Sequence, residues 1–446
     1  MTKSLFLPTS TTRLLTIVGI KKRRSPAAGK RTLLFRGITF LFLWLAHSTD
    51  VSAQVKALYF GELIDGLGKK ITNAVVIINA DRIVGVGKEK ELIIPANAEI
   101  IDLKAYTAIP GLIDAHTHMT YYWDKNRPGD PWTQGRTVQP AVKVFLAQEN
   151  AKKSLETGVT TVRDLGAGDN MSFAMRELID RGAMKGPRMF VAGQGLSIGR
   201  TKGVVDVQQF AEKQLALGAD WIKMFGSTGS AKDVTGFQTY SYEEMKAAAE
   251  VAHKAGKRLA VHSYGPDGAK AAVKAGANTI EHATDVDDST FIEMARRGII
   301  YVPTVDHNRY YAAHREEYGY DSTAVFGLNL FVKRNFESLK KAVKANVKIA
   351  MGSDAVFTGF GENTRELEWF VKAGMTPEQA LQTATTTGAQ MLGKEKELGA
   401  IAPGYYADIV AVKGNPLKDI NVVIQQVKWV MKGGKVEIDK TTALKK

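Results

Sequence analysis

Between residues 109 and 392 the chain repeats one pattern: a short apolar run of strand character, then a longer amphipathic stretch of helical character. The runs are Gly111–His118, Thr160–Leu165, Arg188–Gly193, Trp221–Gly226, Arg258–Ser263, Thr279–Ala283, Ile299–Thr304 and Lys348–Asp354. Strands of continuous apolar character separated by helices belong to parallel sheets covered on both faces. Eight such units are the count of an α/β fold of the (β/α)8 TIM-barrel type, whose reactive side chains gather at the C-terminal ends of the strands. His116, His118, Lys223, His262, His282 and Asp354 all fall at such ends.

The flanks alternate differently. From 54 to 108 the runs Ala57-Leu-Tyr-Phe, Ala74-Val-Val-Ile-Ile and Arg82-Ile-Val-Gly-Val are separated by the turn residues Asp65-Gly66, Asn79 and Gly87. Strand character resumes within 393–446, at Asp408-Ile-Val-Ala-Val and Val427-Lys-Trp-Val-Met, with Lys432-Gly-Gly as a hairpin turn. Both flanks together predict one small β-sandwich built from the two chain ends.

Residues 1–53 read as a secretory signal peptide. A basic stretch precedes the apolar run Gly37–Ala46, and Val51-Ser52-Ala53 supplies an A-x-A-like cleavage site. The apolar run is about half of the roughly 20 residues a spanning helix needs. An exported protein, periplasmic or secreted, with no stable membrane span after cleavage is the expectation. This segment holds nine Lys/Arg and one acid, so it carries +8 of the formal +14 and leaves +6 for the rest. No long basic run points to nucleic acid. The absence of cysteine excludes thiolate chemistry, disulfides and a Cys-anchored lipid.

His116 and His118 stand at i and i+2 of a strand, so their imidazoles share a face. A pair of imidazoles suits a borderline divalent cation such as zinc; unrelated histidines at a strand end are the plainer alternative. In Trp221-Ile-Lys-Met-Phe-Gly, alternation puts Trp221, Lys223 and Phe225 on one face. Facing inward, Lys223 would lose its charge to burial and could add carbon dioxide to form an anionic carbamate. Facing outward, it would snorkel to solvent. His262 and His282 are one βαβ step apart, and each alone reads as a core histidine. Asp354 alone reads as a helix cap. Taken together, six polar groups on five strand ends would be costly to bury without a partner, and two divalent cations supply one. His307 and Arg309, in Thr304-Val-Asp-His-Asn-Arg, offer a carboxylate site or are solvated loop residues. Tyr121, Tyr122 and Trp123 offer pocket walls.

Five stretches resemble the two-metal branch of the amidohydrolase superfamily: Ile109-Pro-Gly-Leu-Ile-Asp-Ala-His-Thr-His, Thr160-Thr-Val-Arg-Asp, Ile280-Glu-His, Gly352-Ser-Asp-Ala and Gly399-Ala-Ile-Ala-Pro-Gly-Tyr-Tyr-Ala-Asp-Ile-Val. The likeness covers nearly all of 54–446. It is greatest for the group of Xaa-Pro and related dipeptidases, ochratoxin-type amidases and imidazolonepropionase-like proteins. The resemblance implies that His116, His118 and Asp354 bind one metal, that His262 and His282 bind a second, and that a carboxylated Lys223 bridges them. Two departures touch the substrate side. Tyr264 stands where many relatives have a second histidine, and the loop Gln194–Gly203 lacks a Gly-Gly-His.

The expected chemistry is hydrolysis of a carbon–nitrogen bond by a hydroxide held between two metals, most simply zinc, with Asp354 as base and then acid. The expected substrates are small: dipeptides of Xaa-Pro type or N-acyl amino acids of ochratoxin type, contacted by Tyr264, His307 and Arg309. Rival readings are a cyclic amide or lactone hydrolase and a non-catalytic barrel. A one-metal deaminase fits poorly, because such proteins usually lack the lysine and carry Glu at the position of Gly265. A homo-oligomer is compatible with the sequence.

Overall fold

The computed structural model describes residues 54–441. The expected signal peptide, with its cleavage site after Ala53, lies outside them. The strands are β1 (Lys56–Ile64), β2 (Lys70–Asn79), β3 (Arg82–Lys88), β4 (Glu99–Pro110), β5 (Leu112–Thr117), β6 (Val159–Asp164), β7 (Arg188–Val191), β8 (Trp221–Phe225), β9 (Arg258–Ser263), β10 (Thr279–His282), β11 (Ile300–Val302), β12 (Ile409–Val412), β13 (Val427–Lys432) and β14 (Lys435–Asp439).

The strands of the two flanks, expected to build one small β-sandwich, pair in one sheet of order β14-β13-β12-β4-β1-β2-β3. The joining strand is β4, which pairs parallel with β1 and antiparallel with β12. A register shift opposite Phe60/Glu62 marks a bulge in it, which bends a strand and increases its twist. The outer half of β4 alternates half-buried and exposed residues with polar and apolar types on both sides, so its sequence does not stand out as a strand. Alternation sends Leu58, Phe60, Val76, Ile78, Trp429 and Met431 to one buried cluster and Ala57, Val75 and Ile77 to another. The β13–β14 turn is Gly433-Gly434, with φ of 53° and 72°. A two-residue turn with positive φ at both positions favours glycine.

The remaining strands are parallel, in a three-stranded sheet β5-β6-β7 and a four-stranded sheet β11-β10-β9-β8. Every residue of β5 and β6 is buried, as sheets covered on both faces require. The eighth expected strand, Lys348–Asp354, forms no continuous ladder. It is held by scattered bonds on two sides instead. Tyr301 N donates to Lys348 O and Ala350 N to Tyr301 O, while Ala115 N donates to Met351 O and Asp354 N to His116 O. Isolated parallel bridges join Leu196 to Met224, Tyr301 to Ile349 and Thr117 to Ala355. Gly352 permits this threading. A Cβ there would lie 2.4 Å from Val302 Cγ1 and 2.9 Å from His116 Cβ.

Helices follow the strands and are locally specified. Ser241 and Glu244 form a capping box at the start of Tyr242–Lys254, and Gly276 and Gly298 end their helices in the left-handed conformation. No helix among the described residues is long and apolar enough to cross a membrane.

Candidate metal centre

β5 delivers His116 and, one residue past its end, His118; β8 delivers Lys223; β9 and β10 deliver His262 and His282. The threaded segment delivers Asp354. His116, His282 and Asp354 each offer a ligand atom within 4.8 Å of the others, a cluster able to hold a metal ion. His118 Nε2 lies 3.3 Å from Asp354 Oδ1 and Lys223 Nζ lies 3.4 Å from His116 Nε2. The rings of His262 and His282 are 4.6 Å apart. All six groups anticipated from the sequence therefore converge, and all are buried.

The backbone is strained here. His282, Thr304, Asp354 and Phe357 have φ of 70°, 50°, 51° and 50°. Positive φ in a β-branched residue such as Thr304 is a genuine outlier, and such strain clusters at functional sites. It serves orientation: Thr304 Oγ1 lies 2.6 Å from His282 Nδ1. His118 Nδ1 similarly lies 3.0 Å from Gly166 O, and His116 Nδ1 lies 2.9 Å from Glu281 Oε2. Each of these imidazoles thus has one nitrogen fixed and the other aimed into the cluster, the arrangement metal-binding histidines use.

Burial lowers the pKa of His116 to about 4, helped by the Lys223 charge, and takes His262 and His282 well below their usual value. Burial also lowers Lys223 to about 8, against the pull of Glu281 and Asp354. At Asp354 burial acts upward, but His307, His116, His118 and His282 outweigh it and hold the carboxyl well below its usual range. At His118 burial acts downward, but the Asp354 hydrogen bond and charge outweigh it and raise the pKa. Three neutral imidazoles, the His118 imidazole beside the Asp354 carboxylate, and a readily deprotonated amine form a donor set a divalent cation takes. The clearest sign of fit is His262 Nε2, which is buried with no hydrogen-bond partner. A buried donor or acceptor left unmet is costly, and a cation would satisfy it.

The residues expected to contact substrate separate. His307 and Arg309 do not lie on a loop but on the helix Val305–Ala313, where i and i+2 point to different sides. His307 turns inward, its Nε2 3.4 Å from Asp354 Oδ2. Arg309 turns away and is bound at 2.8 and 2.7 Å by the two oxygens of Asp306 and at 3.2 Å by Glu362. Its guanidinium is already committed, so the expected carboxylate contact by Arg309 is withdrawn. Tyr264 is buried and stacks on His262 at 4.9 Å, with its hydroxyl accepting from Asn308 Nδ2 at 3.4 Å.

A second buried network escaped the sequence reading. Glu281 accepts from Arg163 Nη2 at 2.9 and 3.1 Å as well as facing His116, and Arg163 Nη1 donates to Thr279 Oγ1 at 2.9 Å. The Arg163 guanidinium lies over the Trp221 ring. Asp114 accepts from Ser353 N at 2.9 Å, Ser353 Oγ at 2.6 Å and Asn363 Nδ2 at 2.9 Å, tying β5 to the segment that carries Asp354. The available signal was a charge inside an apolar strand, since isolated charges are not buried without partners.

Comparison with known proteins agrees with this geometry. The profile described as the amidohydrolase family matches residues 107–436. The ochratoxinase of Aspergillus niger is 30% identical over 87% of this chain and 88% of its own. The imidazolonepropionase of Alkaliphilus metalliredigens is 24% identical over 82% and 90%. The crystal structure of a Xaa-Pro dipeptidase with bound methionine in the active site superposes with a TM-score of 0.77 at 28% identity, covering 86% of this chain and 99% of that one.

Proposed function

Since the chain belongs to the amidohydrolase family, and is by that membership a hydrolase, we propose that it cleaves an amide bond whose leaving group is an α-amino acid, using two divalent cations, most simply zinc. The observation that carries this is the unpaired His262 Nε2 inside a buried cluster of imidazoles, one amine and one carboxylate. His116, His118 and Asp354 would hold one cation, His262 and His282 the other, and Lys223, as its carbamate, would join them. When bound, the cations supply Lewis acidity and lower the pKa of water. Asp354 takes the proton of the attacking water and returns it to the departing amine. Glu281, Gly166 O and Thr304 keep the imidazoles in place. The names of the similar proteins, an ochratoxinase and a Xaa-Pro dipeptidase, support the substrate class.

The architecture belongs to the same proposal: β5–β11 and the segment 348–355 make one (β/α)8 barrel over 109–392, with the sheet of 54–108 and 393–446 beside it. Export after cleavage behind Ala53 is also proposed; envelope protein from the native host should begin at Gln54, and an intact Met1 would reject it. The functional test is turnover by zinc-loaded protein of a library of dipeptides, N-acyl amino acids, cyclic amides and lactones. Hydrolysis of the first two classes is expected. Activity confined to the last two would replace this reading.

A further inference from the structure

Beside the metal cluster lies a cavity of about 320 Å³. It begins where the strand ends stop. Thr120 and Tyr121 follow His118, Gly168 follows the Gly166 carbonyl that fixes His118, and Phe357 follows Asp354. One wall is aromatic. Tyr121 stacks on His118 at 4.9 Å and on Phe357 at 5.8 Å, and Trp132 meets Phe357 edge-on at 5.0 Å. The opposite character comes from Arg136, Lys143 and Arg200, which also line the cavity. None of the three has an ion-pair partner among the described residues, where most arginines around the molecule do. Asp169 is the only carboxylate on the lining. Cations left unpaired around an aromatic cavity invite an anion carrying apolar surface.

The three cations are not equivalent. Lys143 Nζ donates to the Gly135 carbonyl. Arg136 sits on the outer helix Pro131–Thr137. Arg200 stands in the loop after β7, and among the described residues the only hydrogen bond of its side chain is from Nη1 to Gly195 O at 3.3 Å. It lines the same cavity as Tyr121, whose ring lies against His118. A guanidinium with a free edge binds a carboxylate through two parallel N–H groups. Arg309, the other candidate, is occupied by Asp306 and Glu362.

We infer that Arg200 is the specificity residue for the free carboxylate of the leaving amino acid, whose side chain lies against Tyr121, Trp132 and Phe357. This rests on the amide-hydrolase reading above and names the part of the substrate that the cavity takes. An extended dipeptide or N-acyl amino acid would then place its amide over the metal cluster and its carboxylate toward the loop after β7.

The test compares kcat/KM for N-acetyl-phenylalanine and for its carboxamide, with zinc-loaded wild type, Arg200→Gln, Arg200→Lys, Arg136→Gln and Arg309→Gln. Equilibrium binding of free phenylalanine is measured alongside. Wild type should prefer the free acid by roughly tenfold or more, the effect of one charge-assisted hydrogen-bonded contact. Arg200→Gln should collapse that ratio and weaken phenylalanine binding by a similar factor, and Arg200→Lys should restore it in part. Arg309→Gln should keep the ratio. A ratio that survives Arg200→Gln, or collapses only in Arg136→Gln, overturns the assignment while leaving the amide-hydrolase reading intact. No turnover of either compound, or of any amide in the library, overturns both.

Discussion

Two buried polar networks meet at His116, and they are built on opposite terms. On its Nδ1 side stand Glu281, Arg163 and Thr279, where every side-chain polar atom has a partner inside the protein. On its Nε2 side stand Lys223, Asp354, His118, His282 and His262, where a lysine nitrogen faces an imidazole nitrogen at 3.4 Å and another imidazole nitrogen has no partner. Burial is nearly complete in both; Arg163 and Glu281 are 0% exposed and Lys223 1%. The first network is closed and serves structure. The second is complete only with something added, and that difference identifies the site better than any one residue.

The contrast is broken most severely at Lys223. Lys223→Ala should lose most of the bound metal and lower kcat/KM by about 10³-fold or more, because the joining ligand is gone, with little change in folding stability. Elemental analysis should find close to two divalent ions per chain in wild type. Full metal and activity in the variant would end the carbamate assignment. On the closed side the loss should fall on stability. Glu281→Gln strands Arg163 and should cost about 3–5 kcal/mol in urea unfolding, with metal affinity down about 10–100-fold through the misaligned His116. Replacing both partners by methionine should cost less than the single change; a double variant no better than the single one would mean the pair is not the source of the loss.

Chelation sharpens the comparison from the other side. Removing metal should abolish activity and lower the thermal midpoint by only a few degrees, since the closed network does not depend on a cation. Global unfolding on chelation would show that the two networks are one. A further test concerns Glu366. It accepts the backbone N–H groups of Val305 and Asp306 at the start of the His307 helix, yet burial raises its pKa from 4.5 to about 8 against those bonds. Between these values the unfolded chain has released the proton and the folded chain still holds it, so stability falls as pH rises from 4.5 to about 8. Urea midpoints over that range should fall more steeply for wild type than for Glu366→Gln; parallel curves would show that Glu366 is ionised throughout.

Much of this was legible in advance. The ligand-type residues could be named because strand ends are marked by the switch from apolar run to loop, and alternation says which side chains share a face. Lys223 was legible only in part: the pattern placed it beside Trp221 and Phe225 but did not say whether that face was inside. Glu281 and Arg163 lie within quoted motifs and still had no visible role, because their partners are 118 residues apart in the chain.

What the sequence by itself determined is local: the order of strands and helices, the caps that start and stop them, and the alternation that puts His116 beside His118. These follow from backbone geometry over a few residues. What only the tertiary structure decided is which surfaces meet. A strand at 348–354 needs neighbours to complete its ladder, and the fold gives it single bridges instead. His307 and Arg309 are equally polar and two residues apart, yet a helix where a loop was expected turns one toward Asp354 and the other toward Asp306. Side-chain type sets what a group can bind, but its partners are set by packing between segments hundreds of residues apart, and no local pattern encodes that.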